Sequence, residues 1–522
     1  MSSILTHAPA LVIALPLLAA FLVPVVSRIN RKMLGLFITV ILGLTLILTL
    51  IIAQQVLTGD SIIYVFGGSD AGLTLPSGYT VPIRIIFHID GMGIFMGLIT
   101  AVVSFLGAVY SLSFMQKYDG LEKYYALLLL LATGMFGMEF TGDIFNFFVF
   151  LEIASIASVA LIVFRSNISG EPAEAGFKYM VVSSISALMV LIAVGIFYGQ
   201  YDVLNMATIA GVMKFTQVDK IALILLLTVL AMKAGSVPMH MWTPDAYSEA
   251  PAAITMILVA ASQASLYALF RISFSLYNIT LNTVTIGWII IILGVLSMFI
   301  GVTMAIIQKD IKRLMAYHAI SQTGYMLLGV GVGLAVLANP IALDSFGIKA
   351  MEGGIFHIMN HAMYKGLLFL TAGALFYRTG TRDLNKMGGL ANNMKYTTIF
   401  FIIGAAAIAG IPPFNGFASK LIIYESVYKF SPLLSIVAML VSILTLASFV
   451  KVFHSAFLGP KLAQYEKVQE VPKSMVYAMA TLACVIIIFG LFPDVVVKHL
   501  VHPAVMALIN QSNYTAAILG GM

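Results

Sequence analysis

The chain has 522 residues, 61% of them apolar and only 10% charged, and no soluble core of this size can hide so much apolar surface. The composition excludes a soluble globular protein and predicts an all-α polytopic membrane protein. The formal charge of +6 does not indicate nucleic acid, because the basic residues fall between hydrophobic runs, and the single cysteine, Cys484, excludes a disulfide framework or a cysteine-ligated cluster.

A membrane span needs about 20 apolar residues at a rise of about 1.5 Å each. The chain offers fourteen candidates, at 8–27, 34–57, 87–114, 121–140, 143–165, 175–198, 220–241, 250–275, 283–306, 311–336, 351–377, 396–427, 432–457 and 474–498. No basic region precedes Leu11 to Val26, and further hydrophobic segments follow it, so a cleaved signal peptide is not expected. Thr58 to Phe87 is the one long interruption. Gly67-Gly68, Pro76, Gly78 and Pro82 separate short β-type runs such as Ile62 to Phe66 there, which reads as an external loop containing a hairpin.

With spans alternating in direction, loops on one face carry seventeen basic residues, from Arg28, Arg31 and Lys32 to Lys461, Lys467 and Lys473. The opposite face carries seven: Arg84, Lys214, Lys220, Arg271, Lys349, Lys429 and Lys498. The positive-inside rule makes the richer face cytoplasmic, which puts both termini outside.

Four lysines remain within spans: Lys233, Lys365, Lys420 and Lys451. A lysine in a hydrocarbon-embedded helix costs about 2.5 to 3.5 kcal/mol on insertion scales, so its charge is expected to serve a purpose. Lys233 precedes Pro238, whereas Lys420 follows the break at Gly410-Ile411-Pro412-Pro413. Proline interrupts a helix, and broken backbone inside a membrane is tolerated only beside protein or a wet cavity. Two breaks in opposite order are what an inverted-topology repeat produces, an architecture of ion-coupled transporters.

Glu152 is flanked by Phe147 to Leu151 and by Ile153-Ala154, too deep for a loop residue. A carboxylate there needs a cation, which makes Lys233 its candidate partner; a purely structural ion pair is the alternative. His357, His361 and Lys365 recur every four residues and form one stripe, and His318, Gln322 and Tyr325 form a second. Imidazoles donate and accept protons near neutral pH, so such stripes suit a proton relay. The H-x-x-x-H spacing is also that of a metal site, but it lacks the glutamate of a zinc-protease motif and Lys365 would repel a cation, so no metal is expected. Asp143 and Asn146 open the fifth span from outside, which makes Asp143 a candidate uptake site. No dinucleotide fingerprint, Walker lysine, nucleophile elbow or cysteine pair occurs, so no cofactor is expected in this chain.

Four motifs spread over most of the chain carry a resemblance: K-A-G-S-V-P-M-H-M-W-T-P-D-A-Y-S-E-A-P from Lys233, D-I-K-R-L-M-A-Y-H-A-I-S-Q-T-G-Y from Asp310, H-I-M-N-H-A-M-Y-K-G-L-L-F-L from His357 and G-I-P-P-F-N-G-F-A-S-K from Gly410. Together they resemble the antiporter-like subunits shared by Mrp-type sodium/proton antiporters, respiratory complex I and membrane-bound hydrogenases. The resemblance implies fourteen helices, with helices seven and twelve broken. The implied organisation is residues 1–120 as helices one to three with the hairpin loop, 121–275 and 283–457 as inverted five-helix repeats, and 474–522 as the last helix and tail.

It further implies Glu152 and Lys233 as a coupling pair, His318, His357 and His361 on a central hydrophilic axis with Lys365 on the same stripe, and Lys420 as the outlet-side ionisable group. One departure stands out. The family pattern K-x-G-x-Y in helix eight is here Q-A-S-L-Y, so Gln263 occupies the place of the central lysine. The run G-D-I-F-N-F-F-V-F-L-E from Gly142 and the histidine of A-Y-H-A-I-S-Q are nearer to the D-type Mrp subunit and its archaeal hydrogenase-type counterpart than to mitochondrial-type pumps. The implied function is a proton-translocating subunit of a hydrogenase-related respiratory complex or Mrp-type antiporter in a prokaryotic cell membrane, without redox chemistry of its own. The implied partners are other membrane subunits, protons and sodium ions. The alternative is a structural or quinone-contacting subunit of a complex I-like oxidoreductase with a vestigial ion path.

Overall fold

A computed structural model describes residues 2–68, 73–74, 80–81, 84–165, 170–278 and 282–519. Helices dominate. The first two, α1 (Ser2–Ile29) and α2 (Leu34–Thr58), lead into strand β1 (Ile62–Val65). Short strands β2 (Leu73–Thr74) and β3 (Thr80–Val81) pair with each other, and β4 (Ile86–Ile89) returns antiparallel to β1 with Ile62 opposite Ile89. The expected hairpin is therefore present, although Pro76, Gly78 and Pro82 lie outside the described residues.

The third helix, α3 (Gly91–Phe114), starts later than its apolar run, because Asp90 caps it by accepting from the amides of Met92 and Gly93. Then come α4 (Leu121–Phe140), α5 (Ile144–Ile162), α6 (Glu171–Tyr201) and the short α7 (Met206–Val212). The first broken helix consists of α8 (Gln217–Lys233) and α9 (Trp242–Glu249), followed by α10 (Ala252–Arg271), which continues as a π-helical turn to Tyr277. Arg271, counted among the external loop residues, is the last residue of α10, where it is buried and paired with Asp90 at 2.6 Å.

The second half comprises α11 (Thr283–Ile306), α12 (Ile311–Ala335), α13 (Pro340–Ala342) and α14 (Ile348–Thr379), then the second broken helix, α15 (Lys395–Ala409) and α16 (Asn415–Phe430), then α17 (Pro432–Phe453). Lys312 and Arg313, expected in a loop, belong to the first turn of α12 under the Asp310 cap. The chain ends with α18 (Lys473–Leu491), α19 (Pro493–Val496), α20 (His502–Ile509) and α21 (Gln511–Leu519). The expected tail is thus largely helical, and Gln511 bonds the carbonyls of Ser275 and Leu276.

Among the described residues, nine helices are long and apolar enough to cross a membrane. Large apolar side chains such as Leu18, Phe21, Ile47, Leu188, Ile292 and Ile443 are exposed on outer helices, the surface a bilayer would cover. Helices α12 and α14 instead lie inside the bundle, buried from Leu314 to Ala335 and from Ala350 to Leu375. They can hold polar stripes because protein, not lipid, surrounds them.

Candidate functional site: a buried polar axis

Lys233 is the last residue of α8, at the point where the chain leaves the helix. Its Nζ donates to Ser155 Oγ of α5 at 2.7 Å, and to Ser183 Oγ and Tyr179 Oη of α6 at 3.0 and 3.3 Å. The break beside it is pinned by Trp242, whose ring N–H donates to Met232 O, and by Ser236, whose hydroxyl donates to Ala231 O. These bonds satisfy carbonyls that a broken helix leaves open. Glu152 is half-buried on α5 and makes no ion pair with Lys233 within 4 Å. It lies three residues from Ser155, on the same helical face. Lys233, Ser155, Ser262 and Ser265 line a small cavity of about 10 Å³ between α5 and α10, room for about one water.

The central residues converge on α14. Gln263 of α10 bonds His361 Nδ1 through its amide nitrogen at 2.5 Å, and the same amide donates to Ile358 O. One turn away, His357 has Nδ1 at 2.9 Å from Ser419 Oγ of α16, and Nε2 at 3.2 Å from Gln322 Oε1 of α12 and 3.0 Å from Tyr364 Oη. The hydroxyls of Ser419 and Tyr364 can each donate or accept, so they can serve either ring nitrogen. Lys365, one turn further, donates to Met315 O of α12 at 2.6 Å. His318 of α12 reaches Ser448 Oγ of α17 at 2.8 Å.

At the second break, Lys420 of α16 donates to Ile408 O at 2.7 Å and to Ser442 Oγ at 3.0 Å, with Nζ 4.8 Å from the centroid of the Tyr325 ring. The structure thus pairs Gln263 with His361 and, one turn away on α14, gathers His357, Gln322, Tyr364 and Ser419 into a second hydrogen-bonded group, with Lys365 on the same helix. Lys233 and Lys420 sit in separate hydroxyl-lined pockets. Asp143 is elsewhere, as the N-cap of α5, with Oδ1 accepting from the Asn146 amide at 2.7 Å. Lys451 bonds the carbonyls of Ile306 and Gln308 at the end of α11.

Sequence reasoning passes over several of these residues. Ser155, Tyr179, Ser183, Ser419 and Ser448 are common residue types, and only the fold shows that their hydroxyls meet a lysine or histidine. Glu139 is fully buried in α4 and accepts from Thr100 Oγ1 at 2.7 Å. It stands one residue inside the expected end of a span, where it resembles an interfacial carboxylate.

The fold and this axis define a polytopic membrane protein with lysines and histidines enclosed in its interior. The chain belongs to the family described as NADH:quinone oxidoreductase/Mrp antiporter, TM, whose pattern matches residues 141–445. It is 30% identical over 426 residues to the D-type subunit of the Na(+)/H(+) antiporter of Alkalihalophilus pseudofirmus, covering 81% of this chain and 83% of that one. It is 28% identical to the A-type subunit from the same organism over 95% of its own length, but spans only 62% of that longer protein. Among solved structures, a chain of the Mrp complex from Dietzia sp. DQ12-45-1b superposes with a TM-score of 0.87 at 26% identity, covering 99% of both chains. A chain of the membrane-bound sulfane sulfur reductase, an archaeal respiratory membrane complex, gives 0.85 at 30% identity over 98% of this chain and 99% of that one.

Proposed function

We propose that this chain moves protons across the membrane as an antiporter-like subunit of a larger membrane complex, along an axis from Glu152 and Lys233 through His361, His357, Lys365 and His318 to Lys420. One observation carries the reading. Lys233, Lys365, Lys420, His318, His357 and His361 are all buried, and among the described residues none of them pairs with a carboxylate. Hydroxyl, amide and carbonyl oxygens hold them instead. A purely structural buried charge is expected to be paired, whereas these partners leave protonation free to change.

The coupling step is electrostatic. When Glu152 approaches Lys233 the ammonium is stabilised; when it withdraws, the proton is released along the histidines. Lys233 precedes its break and Lys420 follows its own, which supports inverted repeats over 121–275 and 283–457 and fourteen crossings in all. The basic-residue bias supports both termini outside, in a prokaryotic plasma membrane. The partners are other membrane subunits, as in the complexes to which the matched chains belong, and sodium is the second ion if the assembly is of Mrp type. The chain itself holds no cofactor in this reading.

Lys233→Ala and Glu152→Ala in the assembled complex test it. Both should abolish ion-coupled turnover and leave assembly intact. Normal translocation by either variant would sink the mechanism and favour a structural subunit with a vestigial path, a reading that Gln263 in the place of a lysine permits.

A further inference from the structure

Glu139, the penultimate residue of α4, is a carboxyl that the axis above does not use. Its side chain is fully buried, Thr100 Oγ1 donates to Oε1 at 2.7 Å, and Oε2 has no partner among the described residues. No lysine, arginine or histidine nitrogen lies within 4 Å of it among those residues. Arg271, the cation of this layer, is committed to Asp90 through both terminal nitrogens at 2.7 and 2.6 Å. Glu139 also stands in the last turn of its helix, where unsatisfied carbonyls already concentrate negative charge. An unpaired carboxylate in that position is strongly disfavoured, while a neutral acid there is compatible with its surroundings.

Its neighbours tie it to the central group. Helices α3 and α10 run antiparallel, with Asp90 against Arg271 at one end and Gly107 against Ile257 at the other, which sets Thr100 level with Gln263. Tyr267, one turn beyond Gln263, donates to the backbone carbonyl of Glu139 at 3.0 Å. On the facing elements, Gln263 Oε1, His361 Nε2 and Ser104 Oγ are buried and lack partners among the described residues, as Glu139 Oε2 does. Four unsatisfied polar atoms on neighbouring helices, α3, α4, α10 and α14, call for an explanation beyond packing.

We propose that Glu139 holds a proton and exchanges it with the His361–Gln263 group through the Thr100 and Ser104 face of α3, so that α4 supplies the titratable group that α10 lacks at Gln263. This rests on the translocation reading above.

Infrared spectroscopy and vesicle transport on the assembled complex test it together. The wild type should show the carbonyl stretch of a protonated carboxylic acid, sensitive to deuterium exchange, that disappears in Glu139→Gln and moves in Thr100→Val. Glu139→Gln should also lower ion-coupled turnover at least about tenfold with assembly unchanged. A carbonyl region unaffected by Glu139→Gln, or turnover equal to wild type in that variant, overturns the proposal. A wild-type complex that shows the band but translocates no ion supports proton holding and overturns the function proposed above.

Discussion

The ammonium of Lys233 lies 2.7 Å from the hydroxyl of Ser155, and Ser155 stands one turn along α5 from Glu152. The serine therefore holds the lysine where the glutamate can reach it without holding its charge. Ser155→Ala removes the shortest of three bonds to a buried cation, worth about 1.5–3 kcal/mol. Ion-coupled turnover in proteoliposomes is expected to fall by about tenfold or more, and Ser155→Thr, which keeps the hydroxyl, should retain most of it. Equal turnover in wild type and Ser155→Ala would show that Tyr179 and Ser183 suffice.

The N-terminal end of α3 predicts an acid sensitivity. Burial pushes the His88 imidazole down to about 4 from its ordinary 6.5, with Asp90 opposing and Arg271 reinforcing the shift. Burial alone would raise the Asp90 carboxyl, but the charge and hydrogen bonds of Arg271 prevail and hold it below the usual carboxylate range. Between pH 6.5 and 4 the unfolded chain binds a proton at His88 that the folded chain does not, so stability drops as pH falls through that window. The loss is on the order of 3 kcal/mol. The Asp90 contribution is complete above the ordinary carboxylate pKa and is lost at lower pH, as its depressed folded value is crossed. Thermal unfolding followed from pH 7.5 downward should show both phases, and His88→Gln should flatten the upper one alone.

Gln263 supplies the hydrogen that His361 Nδ1 accepts. Gln263→Leu leaves that nitrogen buried and unsatisfied, at a cost of about 1–3 kcal/mol. A lower unfolding midpoint together with reduced turnover is expected. A stable variant with unchanged turnover would separate His361 from the axis.

How much of this the sequence discloses depends on how rare a residue is in its setting. Lys233 and Lys420 are conspicuous because a charge inside an apolar run beside proline has few bland explanations, and both breaks fall where the prolines put them. Ser155 is invisible by the same measure. A serine in a helix can bond its own backbone, as Ser155 does with Leu151 O, so its second role at Lys233 exists only once α5 and α8 are packed. Arg271 escapes a sequence reading because its partner Asp90 lies 181 residues away at the start of α3, and Glu139 escapes it because its burial comes from α3 and α10, not from its own helix.

Lys451 separates structural from functional lysines. Its Nζ bonds Ile306 O and Gln308 O at 2.5 and 2.9 Å, across the end of α11, as cations commonly do at helix C-termini. Lys451→Met should therefore cost about 1 kcal/mol of stability and leave ion-coupled turnover unchanged. Loss of turnover in a variant of normal stability would place Lys451 on the ion path.

The second break is tested at Gly416. A β-carbon there would collide with Ala407 O, in the last turn of α15, so the start of α16 packs directly on the backbone of the helix it continues. Gly416→Ala must push the two halves apart, and because Lys420 stands one turn further along α16, its bonds to Ile408 O and Ser442 Oγ lengthen with that movement. Overpacking of this kind typically costs about 1–3 kcal/mol. Turnover should fall further than stability alone explains, because Lys420 is displaced along with the helix. Gly195→Ala on α6, where a β-carbon meets nothing within 4 Å, is the control and should leave both unchanged. If Gly416→Ala lowers the unfolding midpoint yet turns over normally below it, the position of Lys420 against α15 does not govern translocation.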